Sequence, residues 1–287
     1  MSGIAAQAIR PTADWSIGGY RNGLGSVENI GVTLALSRPR HRMDLVRELV
    51  ARDIKLRYRR SVLGIVWSQI APLSLIAVLS FVFGHILPLQ IAHYPAFLFV
   101  GLLPWVWFQG SMVAATQSVV GGRDLVRQPG FPVAMLPVVS ISTTLINYVL
   151  ALPVMFLWVG VSLGQIPVTS LALPLIVATQ FLLMIGPCLM LSAINVTFRD
   201  VAHIVEIAML PLFYATPVFY KEPATRFHLL YQLNPLAYLM TAYRAALFDG
   251  HWPQMLPLAV IAIVAVALIV LGYRLFDRLS YRFPEEL

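Results

Sequence analysis

Residues 61–122 and 128–198 contain no Asp, Glu, Lys or Arg. A soluble domain carries charge on about a quarter of its residues, so charge-free runs of this length leave no segment fit to face water. The whole chain is 59% hydrophobic and 11% charged, with a mean hydropathy of +0.77. Its solvent is lipid.

A helix needs about 20 apolar residues to cross a hydrocarbon core of roughly 30 Å. On that criterion the chain is predicted to be an all-α membrane protein with six transmembrane helices, at residues 62–86, 96–120, 137–162, 171–197, 201–220 and 255–273. Six crossings put both termini on one side. The expected layout is a flexible tail over residues 1–40, an amphipathic helix over 41–60, the six-span domain over 61–273 and a second tail over 274–287. The first 60 residues contain no apolar run ending in a small-residue cleavage site, so no signal peptide is expected.

Seventeen of the twenty Lys and Arg fall on one side of this topology. Eleven precede span one, Arg123 and Arg127 join spans two and three, Arg199 joins spans four and five, and Arg274, Arg278 and Arg282 lie in the tail. The opposite side holds Lys221, Arg226 and Arg244, all between spans five and six. The positive-inside bias makes the first side cytoplasmic. The net charge of +7 then reads as orientation, and no nucleic-acid partner is expected, because such a partner calls for a basic surface on a soluble core.

No catalytic pattern emerges. A phosphate-binding loop needs Gly-Lys-Ser/Thr, so that backbone amides cradle the phosphates and Lys reaches the terminal ones; Lys55 and Lys221 instead follow Ile54 and Tyr220. HExxH and GxSxG are absent. The single Cys188 can form neither an intrachain disulfide nor a Cys-built metal site and is expected to act as a small buried hydrophobe. His203 and Glu206, three residues apart near the start of span five, form either a polar pair or a weak metal site. Proton- or sodium-coupled carriers place ionisable residues at mid-membrane depth, where this chain is almost bare. Asn147, Gln180 and Asn195 are read as helix-to-helix hydrogen bonders. Neither a metal nor a cofactor is expected in the chain itself.

Three segments carry more information than the spans. In residues 43–60, MDLVRELVARDIKLRYRR, Met43, Leu45, Val46, Leu49, Val50, Ile54 and Leu56 share one half of a helical wheel, while Asp44, Arg47, Glu48, Arg52, Lys55 and Arg59 share the other. This pattern fits a helix lying in the headgroup plane with a polar face for a partner, or a plain positive-inside anchor. Residues 121–132, GGRDLVRQPGFP, are too short and charged to cross and are punctuated by Gly and Pro; they form either a short transmitting helix or an ordinary loop. Residues 221–254 mix charges with apolar pieces too short to span, suited to re-entrant helices around an outer vestibule or to a soluble cap.

Phe81, Phe83, Trp105, Trp107, Phe108, Tyr214, Phe219, Tyr220 and Tyr231 gather in the parts of spans one, two and five nearer the outer side or in the loop beyond. Aromatic faces stack on the C–H faces of sugars, but rings with a polar edge also form ordinary membrane belts. Pro72, Pro104, Pro153, Pro187, Pro211 and Pro217 lie in or at the ends of spans, where each removes a backbone donor and can kink a helix.

The segment RDIKLRYRRSVLGIVWSQIAPL, residues 52–73, resembles the signature of ABC type 2 permeases that export bacterial polysaccharides: O-antigen, capsule and teichoic acid. The likeness continues through YPAFLFVGLLPWVWF (94–108), the spacing of Leu125, Val126, Phe131 and Pro132, NVTFRD (195–200), TPVFY (216–220) and LNPLAYLMTAYRAAL (233–247). Only residues 1–40 depart from it.

The resemblance implies that residues 43–60 form an interface helix and that 121–132 contain a coupling helix docked on a separate cytoplasmic ABC ATPase. The docking residues would be Arg47, Arg52, Arg59, Arg123, Asp124, Arg127, Arg199 and Asp200. It implies a homodimer with two ATPase copies, which bind the ATP and Mg, and an undecaprenyl-linked polysaccharide as substrate in the bacterial inner membrane. Spans one, two and five of two protomers would line a channel through Phe81, Phe83, Trp105, Trp107, Phe108, Tyr214, Phe219 and Tyr220. Residues 221–254 would form two short re-entrant helices. Two alternatives stand beside this: a type 2 ABC exporter of another lipid-linked glycan, teichoic acid, a lipid or a drug, and a membrane-embedded glycosyl- or acyltransferase, for which the outer segment offers only Glu222, His228, Asp249 and His251.

Overall fold

A computed structural model describes residues 39–58, 66–86, 89–221 and 233–287. These residues form helices and connecting turns, with no strand among them. In order they are α1 (Pro39–Tyr58), α2 (Val66–Phe81, continued by a π-helical turn Val82–Ile86), α3 (Tyr94–Gly121), α4 (Arg123–Val126), α5 (Met135–Leu163), α6 (Leu173–Thr197, preceded by a 3-10 turn Val168–Ala172), α7 (Val201–Ala215), α8 (Pro235–Leu247), α9 (Met255–Ser280) and α10 (Phe283–Glu286). Five of the helical segments are long and apolar enough to cross a membrane: Gln69–Ile86, Tyr94–Gly121, Met135–Leu163, Val168–Thr197 and Met255–Ser280. The chain is a multi-pass membrane protein.

α3 is the axis of the bundle. It is apolar on every side, the pattern of a fully enclosed helix, and α2, α5, α6, α7 and α8 all pack on it. Phe97, Leu98, Leu102, Trp105, Met112, Ala115 and Val119 are buried along its length. His93, in the left-handed region at φ 50°, reverses the chain into its first turn, where Pro95 sits with its missing N–H in a position that needs none. Polar side chains tie neighbours together: Gln180 Nε2 donates to the carbonyl of Pro104 at 3.0 Å, Gln69 Nε2 to that of Asn147 at 3.1 Å, and Ser111 meets Thr144 at 2.7 Å.

α6 and α9 meet where Gly186 faces Gly272. A Cβ on Gly272 would lie 2.5 Å from the carbonyl oxygen of Gly186, and one on Gly186 would overlap the backbone of Leu268. Between lipid-embedded helices, attraction comes from close packing rather than from water exclusion, and small residues allow it.

The helices match the expected spans with two differences. The fifth stops at Ala215 instead of reaching residue 220, because Pro217 drives Thr216 into extended backbone (φ −104°, ψ 134°). At 15 residues α7 is about 22 Å long, short of a hydrocarbon core. The sixth runs past residue 273 to Ser280: charge at Arg274, Asp277 and Arg278 ends an apolar run but not a helix. The flexible tail expected over residues 1–40 falls almost wholly outside the described residues, as do Arg59 and residues 222–232 of the 221–254 segment.

Candidate functional site

At the end of the bundle away from α1, residues 216–220 (TPVFY) form a turn that is bolted down by side chains from α3 and α8. Tyr94, the first residue of α3, donates its hydroxyl to the carbonyl of Phe219 at 2.9 Å. Arg244, on α8 and 7% exposed, donates through Nη2 to the carbonyl of Val218 at 2.6 Å and through Nη1 to that of Tyr220 at 3.2 Å. Its guanidinium lies 3.9 Å over the centroid of Phe97, a cation–π contact that a buried charge can exploit. Gly101, one turn further along α3, makes room: a Cβ there would come 2.6 Å from the Val218 oxygen and 3.0 Å from Nη2 of Arg244. Asn234 closes the ring of contacts, its Oδ1 accepting from the backbone N–H of Leu236 to cap α8 while Nδ2 donates to Thr216 Oγ1 at 3.0 Å.

The pinned turn presents Phe219 to a cluster of rings. Phe219 stacks on Phe83 (5.4 Å, 24°) and on Phe213 (5.4 Å, 26°), and meets Tyr214 and Tyr220 edge to face at 5.6 and 4.8 Å. Trp105 joins through Phe213 at 5.4 Å and also touches Phe108. Tyr220 donates its hydroxyl to the Tyr214 carbonyl at 2.7 Å. Residues from α2, α3, α7 and the turn therefore share one aromatic wall.

Of the eight aromatics singled out from the sequence, the structure brings together Phe83, Trp105, Phe108, Tyr214, Phe219 and Tyr220. Phe81 stands apart, stacked on His85 at 5.6 Å and 60% exposed. Trp107 points the other way and stacks on Tyr148 of α5 at 5.1 Å. Trp105, Trp107 and Phe108 are buried inside the protomer, whereas Tyr214 is 59% exposed. Sequence reasoning gave no site role to Tyr94, Phe97, Gly101, Phe213 or Arg244. Arg244 had a visible signal: it is the sole charge in LNPLAYLMTAYRAAL, and an isolated cation in an apolar stretch requires partners.

The other end carries the cations. Arg123, Asp124 and Arg127 are exposed on and just after α4, while Val126 and Leu125 of the same helix turn inward. Val126 belongs to a core with Val119, Leu136, Phe276 and Phe283, so α4 is fixed to the ends of α3, α5 and α9 by its apolar side. Arg47 on α1 pairs loosely with Asp44 at 4.0 Å, and Val50 is buried on the face that meets α5. Arg199 and Asp200 are exposed immediately before α7, whose second N–H is accepted by Asn195 Oδ1 at 3.1 Å. His203 and Glu206 face one another at 4.0 Å, both largely solvated. No cluster of three potential metal ligands occurs among the described residues. Cys188 is fully buried against Ser111 and Met112.

The sequence matches the model of the ABC-2 type transporter family over residues 44–248. It is 36% identical over 249 residues to the O-antigen export system permease protein RfbA of Myxococcus xanthus, covering 85% of this chain and 95% of that one. A protein of the same name from Klebsiella pneumoniae is 28% identical over 248 residues, with the same coverage of both chains. The matched stretch takes in most of α1, the exposed α4 loop, the pinned turn and α8, and on these grounds the chain belongs to the ABC-2 type transporter family.

Proposed function

We propose that this chain is the permease subunit of an ATP-driven exporter that carries a lipid-linked, O-antigen-like polysaccharide from the cytoplasm across the bacterial inner membrane. The observation that carries this reading is the extent of the similarity to RfbA-type O-antigen export permeases, which spans 95% of their length. The aromatic wall around Phe219 supports it chemically, since ring faces are the sequence-tolerant way to hold successive sugars.

The working unit is a homodimer bound to two cytoplasmic ABC ATPases, which hold the ATP and Mg. The basic end faces the cytoplasm, by the bias of Lys and Arg, and both termini lie there. α7 serves as a sixth, short span, and α8 as a re-entrant helix on the outer side. Exposed Arg47, Arg123, Asp124, Arg127, Arg199 and Asp200, together with Arg59, meet the ATPase. Closure of the nucleotide-binding subunits pushes on α4. Because Val126 seats α4 against α3, α5 and α9, the push enters the bundle axis directly, and α3 carries it to the turn that Tyr94 and Arg244 hold.

The test is reconstitution of the permease with its ATPase in proteoliposomes loaded with lipid-linked glycan. ATP-dependent appearance of glycan in the opposite compartment is expected; transfer of a sugar or acyl group without transport would support the transferase alternative instead.

A further inference from the structure

A cavity of about 500 Å3 lies under α1 at the basic end. α1 contributes Leu49, Arg52 and Asp53, α3 contributes a stripe from Gly110 to Gly121, and Gly122, Leu125, Leu136, Val139 and Ser140 complete the walls. The volume is in the range of small-ligand sites, roughly 300–1,000 Å3. We propose that this cleft holds one anionic glycerophospholipid of the cytoplasmic leaflet, with an acyl chain along α3 and the headgroup phosphate on Arg52. The orientation rests on the reading given above; the lipid itself is additional to it.

Three observations carry the assignment. The first is depth. Gly110 and Gly121 are eleven residues apart, about 16 Å along the helix, which is close to one leaflet of a hydrocarbon core roughly 30 Å thick. Along that length α3 turns Gly110, Val113, Ala114, Gln117 and Gly121 toward the cleft, and a Cβ placed on Gly121 would meet nothing within 4 Å. Gly110, Ala114 and Gly121 leave the space open, and Val113, Leu125, Leu136 and Val139 give an acyl chain apolar walls, with Gln117, Ser118 and Ser140 as the polar points among them.

The second is the charge at its mouth. Arg52 is exposed and lines the cleft, and among the described residues no hydrogen bond or ion pair engages it. Five residues from Arg47, it lies about 140° around the helix at 3.6 residues per turn. Arg47 therefore belongs to the outward face, and Arg52 to the face turned toward the membrane. The third is the composition of α1, with six Lys and Arg against three Asp and Glu. A juxtamembrane segment of that kind attracts the anionic lipids of a cytoplasmic leaflet. A largely apolar cleft one leaflet deep with the Arg52 guanidinium at its headgroup end fits a phospholipid better than a soluble ligand, which has no use for that depth.

The site lies between α1 and α4, the two elements proposed to meet the ATPase, so its occupant would act as a filler that stiffens α1 against α3 and α4. The test is native mass spectrometry of the intact permease–ATPase complex, released from nanodiscs of equal phosphatidylglycerol and phosphatidylethanolamine and made in cells lacking glycan synthesis. One phospholipid per permease protomer is expected, with phosphatidylglycerol favoured about fivefold, the bias one cation supplies against an anionic headgroup. Ala114→Phe should expel the lipid, Arg52→Glu should abolish the headgroup bias, and Arg278→Glu, an exposed cation on α9 outside the cleft, should leave both unchanged. Equal retention by wild type and Ala114→Phe, no bias for either headgroup, or retention of a polyprenyl diphosphate species in place of a glycerophospholipid would each overturn the proposal. None of these readings depends on transport, so failure here leaves the export reading standing, and failure of export leaves the lipid measurement valid.

Discussion

The guanidinium of Arg244 lies 3.9 Å over the ring of Phe97 while its two terminal nitrogens donate to the carbonyls of Val218 and Tyr220. One side chain thereby ties α8, the axis helix α3 and the turn after α7 into a single unit. The pairing also resolves how a cation can be buried at this depth: a flat delocalised guanidinium is more weakly hydrated than an ammonium and can serve a ring face and two carbonyls together.

Arg244→Leu should strip the buried Val218 carbonyl of its 2.6 Å guanidinium donor, at a cost of about 1–3 kcal/mol. The thermal midpoint of the detergent-solubilised protein is expected to fall, and export with it, while the ATPase still co-purifies. Arg244→Lys restores charge but not the fork, so it should recover less than half of the lost stability. Full recovery by Lys would mean that charge alone matters at this site.

Gly101 tests the same unit from the other side. Gly101→Val places branched carbon where the Val218 carbonyl already sits. Overpacking of this kind costs roughly 1–3 kcal/mol, and the displaced turn should expose the Phe219 cluster to modification. Combined with Arg244→Leu, the two losses should be less than additive because both release the same turn. Additive losses in the melting curves would show that the glycine acts elsewhere.

Much of this was legible in the sequence. Hydropathy located the long helices because lipid demands a continuous run of apolar residues, and it failed at residues 216–220 because a hydropathy window ignores the constraint that Pro217 places on Thr216. Aromatic composition pointed to the right region but could not separate roles. Trp105, Trp107 and Tyr214 are the same kind of residue on paper, and only the enclosure of α3 by its neighbours decides that the first two are buried and the third exposed. The bond from Tyr94 to Phe219 joins residues 125 apart in sequence, and no local pattern encodes such a distance. Arg47 and Arg52 share the polar half of a helical wheel, yet the second belongs to a cleft that exists only once α3 is packed beneath it.

The burial difference separates two classes of aromatic substitution. Trp107→Ala empties a packed site between α3 and α5 and should cost roughly 3–5 kcal/mol of stability. Tyr214→Ala and Phe81→Ala remove exposed rings and should leave the melting midpoint within about 1 °C, since surface changes fall within roughly 0.5 kcal/mol. If the outer rings hold sugar, both should slow glycan export severalfold without loss of ATPase binding. Unchanged export rates in both would reduce these residues to an ordinary aromatic belt.

α4 divides its labour between two faces, and the two faces give opposite results when altered. Arg123→Glu with Arg127→Glu reverses two exposed charges and touches no packing, so the isolated permease should melt as wild type does. Co-purification of the ATPase should be lost, and weakened binding in single variants should deepen as salt screens the remaining pairs. Val126→Asp acts from the buried side: it places a carboxylate among Val119, Leu136, Phe276 and Phe283, with no partner to offset its desolvation. That variant should lower the melting midpoint and uncouple ATP hydrolysis from export while the exposed arginines still recruit the ATPase. Loss of recruitment in Val126→Asp, with unaltered stability, would mean that α4 is held by the ATPase rather than by the bundle.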